Sequence, residues 1–116
     1  MHNKILGKWG EDLAARYLEG KGYKILAKNY SCRHGEIDII ASFEGAIIFV
    51  EVKTRMNTSF GWPEEAVTEE KMRHLGQAAE KFLIREQIES DYYFEVLSLL
   101  VDRNKKSVRV KHFKNF

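Results

Sequence analysis

The stretch "GEIDIIASFEGAIIFVEVKTR", residues 35–55, decides how this chain is read. It contains two apolar β-strands, "EIDIIA" (36–41) and "AIIFVEVKT" (46–54), interrupted by Glu36, Asp38, Glu51 and Lys53. Side chains alternate faces along a strand, so Glu36, Asp38 and Ile40 share one face, and Ile47, Phe49, Glu51 and Lys53 share another. The connection "SFEG" decides whether the two faces coincide. Read as a four-residue loop over 42–45, it pairs Ala41 with Ala46. Asp38 then lies opposite Phe49 and diagonal to Glu51, Glu36 lies opposite Glu51, and all four charges converge. A three- or five-residue loop would separate them, because a one-residue slip turns a strand's face over.

Convergent carboxylates repel one another and lose hydration when partly buried. "AIIFV" has the composition of a central strand covered on both faces, so Glu51 is not freely solvated. Something must offset the negative charge. Lys53 supplies one positive charge, and a divalent cation would supply two. Hard oxygen ligands suit Mg²⁺ or Mn²⁺, and Mg²⁺ takes only one or two protein carboxylates. Asp38 and Glu51 are the expected main ligands, with the backbone carbonyl of Val52 as a third. Such a site suits phosphodiester hydrolysis, with Lys53 orienting the attacking water or stabilising charge on the phosphate. The same cluster also reads as a structural salt bridge in which Lys53 neutralises one acid.

Working outward, residues 3–20 form an amphipathic helix with Leu6, Trp9, Leu13, Tyr17 and Leu18 at helical spacing, stopped by Gly20 and Gly22. "YKILAKNY" (23–30) is a strand with Tyr23, Ile25 and Ala27 on one face. Residues 55–67 are a loop. Thr68 caps a second helix running to about Glu89, with Met72, Leu75, Ala79, Phe82 and Leu83 as its apolar stripe. "YYFEVLSLLV" and "VRVKHF" are two further strands joined by the turn "DRNKKS". The order α-β-β-β-α-β-β predicts one α/β domain spanning 1–116, with a mixed sheet of about five strands flanked by helices.

Composition agrees with a single globular domain: 116 residues, 44% hydrophobic and 31% charged. The lone Cys32 offers no internal disulfide and no zinc cluster, which favours a reducing, cytoplasmic setting. No signal-peptide h-region and no membrane-spanning run is read, so no membrane partner is expected. The net charge of +2 decides little, but its distribution is uneven. From Lys105 onward every ionisable side chain is basic, which suits either a phosphate backbone or a solvated edge strand kept from aggregating by lysines.

The series "GKWGEDLAARYL", "GYKILAKNY", "GEIDIIA", "FVEVKTR" and "FGWPEEAVTEEK" resembles the YraN-type family of predicted bacterial endonucleases. The pattern E-I-D followed by E-V-K is similar to the PD-(D/E)xK nuclease motif of the restriction-endonuclease-like fold, which archaeal Holliday-junction resolvases share. The resemblance covers nearly the whole chain. It assigns the metal to Asp38 and Glu51 and leaves Glu36 auxiliary. It adds Glu11, from the first helix, to the metal and catalytic set, and matches Arg55 and Lys71 to phosphate contacts. Gln77 falls where related nucleases carry a polar helper. The proline that usually precedes the first acid is absent. His34, a loop histidine without a His or Cys partner, reads as an exposed side chain.

The expectation is a Mg²⁺- or Mn²⁺-dependent endonuclease acting on DNA at branched or single-stranded structures. A homodimer would follow the resolvases by analogy, though nothing in this chain demands it. The rival is a non-hydrolytic nucleic-acid-binding or scaffold protein that keeps the fold. A protein-interaction module using the edge strand 107–113 is a third class.

Overall fold

The computed structural model describes residues 3–114 and 116. The elements are α1 (Asn3–Gly20), β1 (Lys24–Cys32), β2 (Gly35–Phe43), β3 (Ala46–Arg55), a 3₁₀ turn (Pro63–Ala66), α2 (Glu69–Arg85), β4 (Tyr92–Asp102) and β5 (Ser107–Phe113). The strands form one mixed sheet in the order β1-β2-β3-β4-β5. The β3–β4 pair is parallel, with α2 in its crossover, and the other pairs are antiparallel. The architecture is consistent with the restriction-endonuclease-like fold.

Strand β3 is central, and its residues from Ala46 to Val52 are all buried. One face of the sheet packs under α1 through Ile39, Ile48, Val50, Leu97 and Leu99, closed by Ala14, Ala15 and Leu18. The other packs under α2 through Ile37, Ile40, Ile47 and Phe49, closed by Leu75, Ala79, Phe82 and Leu83. The α2 stripe is therefore the expected one. Thr68 caps α2 by accepting a hydrogen bond from the Lys71 backbone N–H, but the helix ends at Arg85, short of Glu89. In α1 the stripe excludes Trp9, which is 36% exposed. The small residues Gly10, Ala14 and Ala15 carry the contact instead, and this brings helix and sheet close together.

Three other expectations need correction. The β2–β3 connection is a two-residue turn, Glu44-Gly45, with Phe43 paired to Ala46. Both turn residues have positive φ, 51° and 83°, the geometry of a tight hairpin whose twist matches its strands. The register thus differs by two residues from that of a four-residue loop. An even shift preserves which faces meet, so Asp38, Glu51 and Lys53 still converge while the pairings change and Glu36 falls outside the group. In β1, Ile25 packs under α1 but Ala27 packs under α2. A register irregularity between them breaks the alternation expected for Tyr23, Ile25 and Ala27. The loop 55–67 also contains the unanticipated 3₁₀ turn, opened by Pro63.

Candidate functional site

The site is built where the β2–β3 ladder stops. The last bridge is Ile39 with Val50, so one step further Asp38 comes opposite Glu51. Alternation breaks here as well: Ile37 and Ile40 pack on the α2 side, whereas Ile39 packs on the α1 side. At the break, the Asp38 carboxylate turns toward β3 and accepts a 2.8 Å hydrogen bond from the Val52 backbone N–H. A carboxylate oxygen thus takes the place of the missing ladder partner. Within a strand, one residue's N–H and C=O point to the same edge, which puts the Val52 carbonyl on Asp38's side.

Glu51 lies on the adjoining face and is 3% exposed. Its carboxylate receives Lys71 Nζ at 2.7 Å, from the first turn of α2. Burial pushes the Asp38 carboxyl up to about 9, helped by a hydrogen bond with Glu51 and by that group's charge. Burial and the neighbouring Glu51 charge thus favour the protonated form of Asp38 in the metal-free protein. Burial lowers the Lys53 ammonium, and a hydrogen bond and repulsion from Lys71 lower it further. Burial lowers Lys71 too, but its hydrogen bonds to Glu51 and Lys53, together with the charges of Glu51 and Asp38, outweigh burial and raise it.

Glu11 enters from α1, half-buried. Burial raises its carboxyl and the Glu36 charge adds to this, while a hydrogen bond from the Asn29 side chain opposes it. Asn29 has a φ of 53°, a left-handed conformation that asparagine tolerates better than most residues. It interrupts β1 opposite the break at Asp38, as irregularities beside functional sites commonly do to re-aim side chains. Helix α1 reaches β3 closely because position 10 is glycine. A Cβ there would collide with Thr54 Oγ1, and Thr54 Cβ and Cγ2 would also lie within 3.1 and 3.3 Å.

A cleft of about 350 Å³ opens over this cluster, lined by Glu11, Asp38, Val52, Lys53, Arg55 and Lys71 among others. A second depression, of about 310 Å³, continues past Asp38 and Glu51 to Glu36 and His74. The structure thus gathers Glu11, Asp38, Glu51, Val52, Lys53, Arg55 and Lys71. Glu36 is exposed and pairs with Ser31 at the far side of β2, not with Glu51 as the four-residue loop predicted. Lys71, assigned by resemblance to phosphate, makes its bond to Glu51. Gln77 lies apart, beside half-buried His34 in another depression. His74, Thr54 and Asn29 were not anticipated. His74 follows Lys71 by three residues on a helix, and that spacing is the signal that could have found it.

Among the described residues, no group of three or more His, Cys, Asp or Glu side chains forms a cage for a metal ion. A centre holding two carboxylates and a backbone carbonyl does not need one. The donor set of Asp38, Glu51 and the Val52 carbonyl is all hard oxygen, and the burial and mutual charge that raise Asp38 are what a divalent cation between the carboxylates would offset. It therefore fits Mg²⁺ or Mn²⁺.

An α/β domain with a charged cleft at the splayed end of its central hairpin is the class that fold and site define. The model of Uncharacterised protein family UPF0102 matches residues 10–99. The chain is 47% identical over 107 residues to a UPF0102 protein of Syntrophomonas wolfei, covering 91% of this chain and 93% of that one. It is 40% identical over 116 residues to one from Caldicellulosiruptor saccharolyticus (99% and 98% covered). It is 42% identical over 115 residues to one from Geobacter sulfurreducens (98% and 89% covered). The chain belongs to the UPF0102 family, the YraN-type family that its motifs resemble. No helix among the described residues is long and apolar enough to cross a membrane.

Proposed function

We propose that this protein is a metal-dependent nuclease that hydrolyses DNA phosphodiester bonds, at branched or single-stranded structures. One observation carries the reading. The Asp38 carboxylate crosses the end of the β2–β3 ladder to meet Val52 and Glu51 in a cleft rimmed by Lys53, Arg55 and Lys71. Anionic oxygens at the centre with cations around them match a phosphodiester approaching a metal-assisted site.

Asp38, Glu51 and the Val52 carbonyl would hold the ion, with Glu11 completing the acidic set from α1. A bound Mg²⁺ or Mn²⁺ supplies Lewis-acid polarisation of the phosphoryl group and a more acidic water. Lys53 would orient the attacking water and offset charge developing on the phosphoryl oxygens. Arg55, at the exit of β3, holds a flanking phosphate. Lys71 neutralises Glu51 in the metal-free protein, and with Glu51 engaged elsewhere its ammonium would be free to meet the phosphate.

The 2.7 Å Lys71–Glu51 pair also favours a second reading. If that bond is permanent, the cluster is a structural ion pair in a nucleic-acid-binding protein that does not cleave. The test incubates purified protein with linear duplex, single-stranded and branched DNA in Mg²⁺ or Mn²⁺, beside Asp38→Asn and Lys53→Ala. Cleavage by the wild type alone supports the nuclease. Equal cleavage by all three indicates a contaminant, and binding without cleavage of any substrate supports the second reading.

A further inference from the structure

A second groove, of about 630 Å³, lies beyond the end of β3. The loop that follows Arg55 and Trp62 form one wall, and the β4–β5 turn forms the other. Its charge is one-sided. Arg103, Lys105 and Arg109 line it and are exposed. The acid there, Asp102, is occupied: its Oδ1 accepts the backbone N–H groups of Asn104 (3.0 Å) and Lys105 (3.1 Å) and so holds the basic turn in shape.

The groove continues the first site. Arg55 is paired with Leu100, and Leu100 with Arg109. Residues directly opposite on neighbouring strands project from the same face. Arg55 and Arg109 therefore stand on one face of the sheet, two strand spacings or roughly 10 Å apart. One step nearer the carboxylates, Lys53, Ser98 and Lys111 form a parallel row. Above these rows sits the Trp62 ring, 3.8 Å from Lys111 Nζ and 5.8 Å from the Arg109 guanidinium. Glu64 anchors this arrangement by accepting bonds from Ser98 Oγ (2.7 Å) and Lys111 Nζ (3.0 Å). Two residues before Trp62, Phe60 is 85% exposed.

A cationic groove with an aromatic ring in its wall is the apparatus for an unpaired nucleic-acid strand: phosphates follow the cations and a base stacks on the ring. We infer that this groove receives a single strand of the nucleic acid whose phosphodiester lies at Asp38 and Glu51. Arg103, Lys105 and Arg109 take its phosphates, and Trp62 takes a base. This deepens the nuclease reading and rests on it for the direction of the strand. It gives the protein a preference for substrates with an unpaired arm over blunt duplex.

The test reads binding, not cleavage. Trp9→Phe leaves Trp62 as the sole tryptophan. This protein is titrated with ten-nucleotide oligo-dT and with oligo-rU, in chelator. Quenching of Trp62 emission by either strand supports the inference, and the stronger of the two identifies the preferred sugar. Adding Arg103→Ala, Lys105→Ala and Arg109→Ala should weaken affinity by about 10-fold or more. It should also flatten the salt dependence by about 0.7 per lost phosphate contact, with an unchanged thermal melt. An unmoved Trp62 signal, undiminished affinity in the triple variant, or stronger binding to blunt duplex or to vesicles of anionic lipid overturns it. Trp62 quenching without cleavage in metal removes the nuclease and keeps the groove. Cleavage without a Trp62 response does the reverse.

Discussion

The carboxyl of Asp38 shares a hydrogen bond with that of Glu51 at the point where β2 and β3 part, and burial raises it to about 9. Its ordinary value is 3.8. Between these values the unfolded chain is ionised while the folded protein keeps the proton. Metal-free stability contributed by this group is therefore complete below about pH 4 and is lost as pH rises toward 9. Asp38→Asn, which imitates the protonated acid, should melt close to the wild type near pH 4 and several degrees above it at pH 9 in chelator. Parallel melting curves across that range would sink the assignment.

Lys71 and Lys53 should separate stability from chemistry. Lys71→Ala leaves a buried carboxylate without its partner and should cost about 1–2 kcal/mol in chelator, less than for a fully buried pair because Lys71 is 40% exposed. Lys53→Ala relieves repulsion with Lys71 and should leave the denaturation midpoint unchanged or higher. Cleavage by that variant should fall about 10²-fold or more. Loss of stability in Lys53→Ala with normal cleavage would make it a structural residue.

Gly10 and Gly7 lie three residues apart in α1 and should respond oppositely to alanine. At Gly10 the added Cβ meets Thr54 Oγ1, and turning the Thr54 side chain leaves its Cβ still 3.1 Å away. The cost should be about 1–3 kcal/mol, with lower cleavage because α1 carries Glu11. At Gly7 nothing lies within 4 Å, so alanine should stabilise the helix by about 0.5–1 kcal/mol. Urea denaturation of the two variants decides this, and equal shifts would contradict the close approach of α1 to β3.

Glu64 ties the 3₁₀ turn to the sheet. Burial would raise its carboxyl, but hydrogen bonds from Ser98, its own backbone and Lys111, with the Lys111 charge, hold it below the usual 4.5. Its stabilisation is thus present above pH 4.5 and lost as pH falls. Glu64→Ala also leaves the buried Ser98 hydroxyl without that partner and should cost about 1–3 kcal/mol at pH 7. The gap to wild type should narrow toward pH 3.5 in thermal melts. A constant gap would show that the anchor is not ionic.

Much of the fold was legible because periodicity reports burial. The α2 stripe, the Thr68 cap and the buried run of β3 all follow from residue spacing. Less legible was anything set by contact between distant segments. Trp9 fits the α1 period, yet the small residues Gly10 and Ala14 draw the helix down onto β3 and leave the indole outside. Glu36 and Asp38 look equivalent two residues apart on a strand. The break in β2, matched by left-handed Asn29 in β1, turns one toward Glu51 and leaves the other in solvent. The assignment of Lys71 to phosphate missed a partner that lies twenty residues away in sequence.

By itself the sequence determined that acids and a lysine sit on alternating positions of two strands joined by a short turn, so that any even-numbered connection brings them to one side and any odd one parts them. Only the tertiary structure decided which carboxyls touch, which lysine neutralises them, and that a basic groove extends the same face toward β5. Those outcomes depend on where the ladder stops and on which helix covers the gap, and neither is encoded in local periodicity.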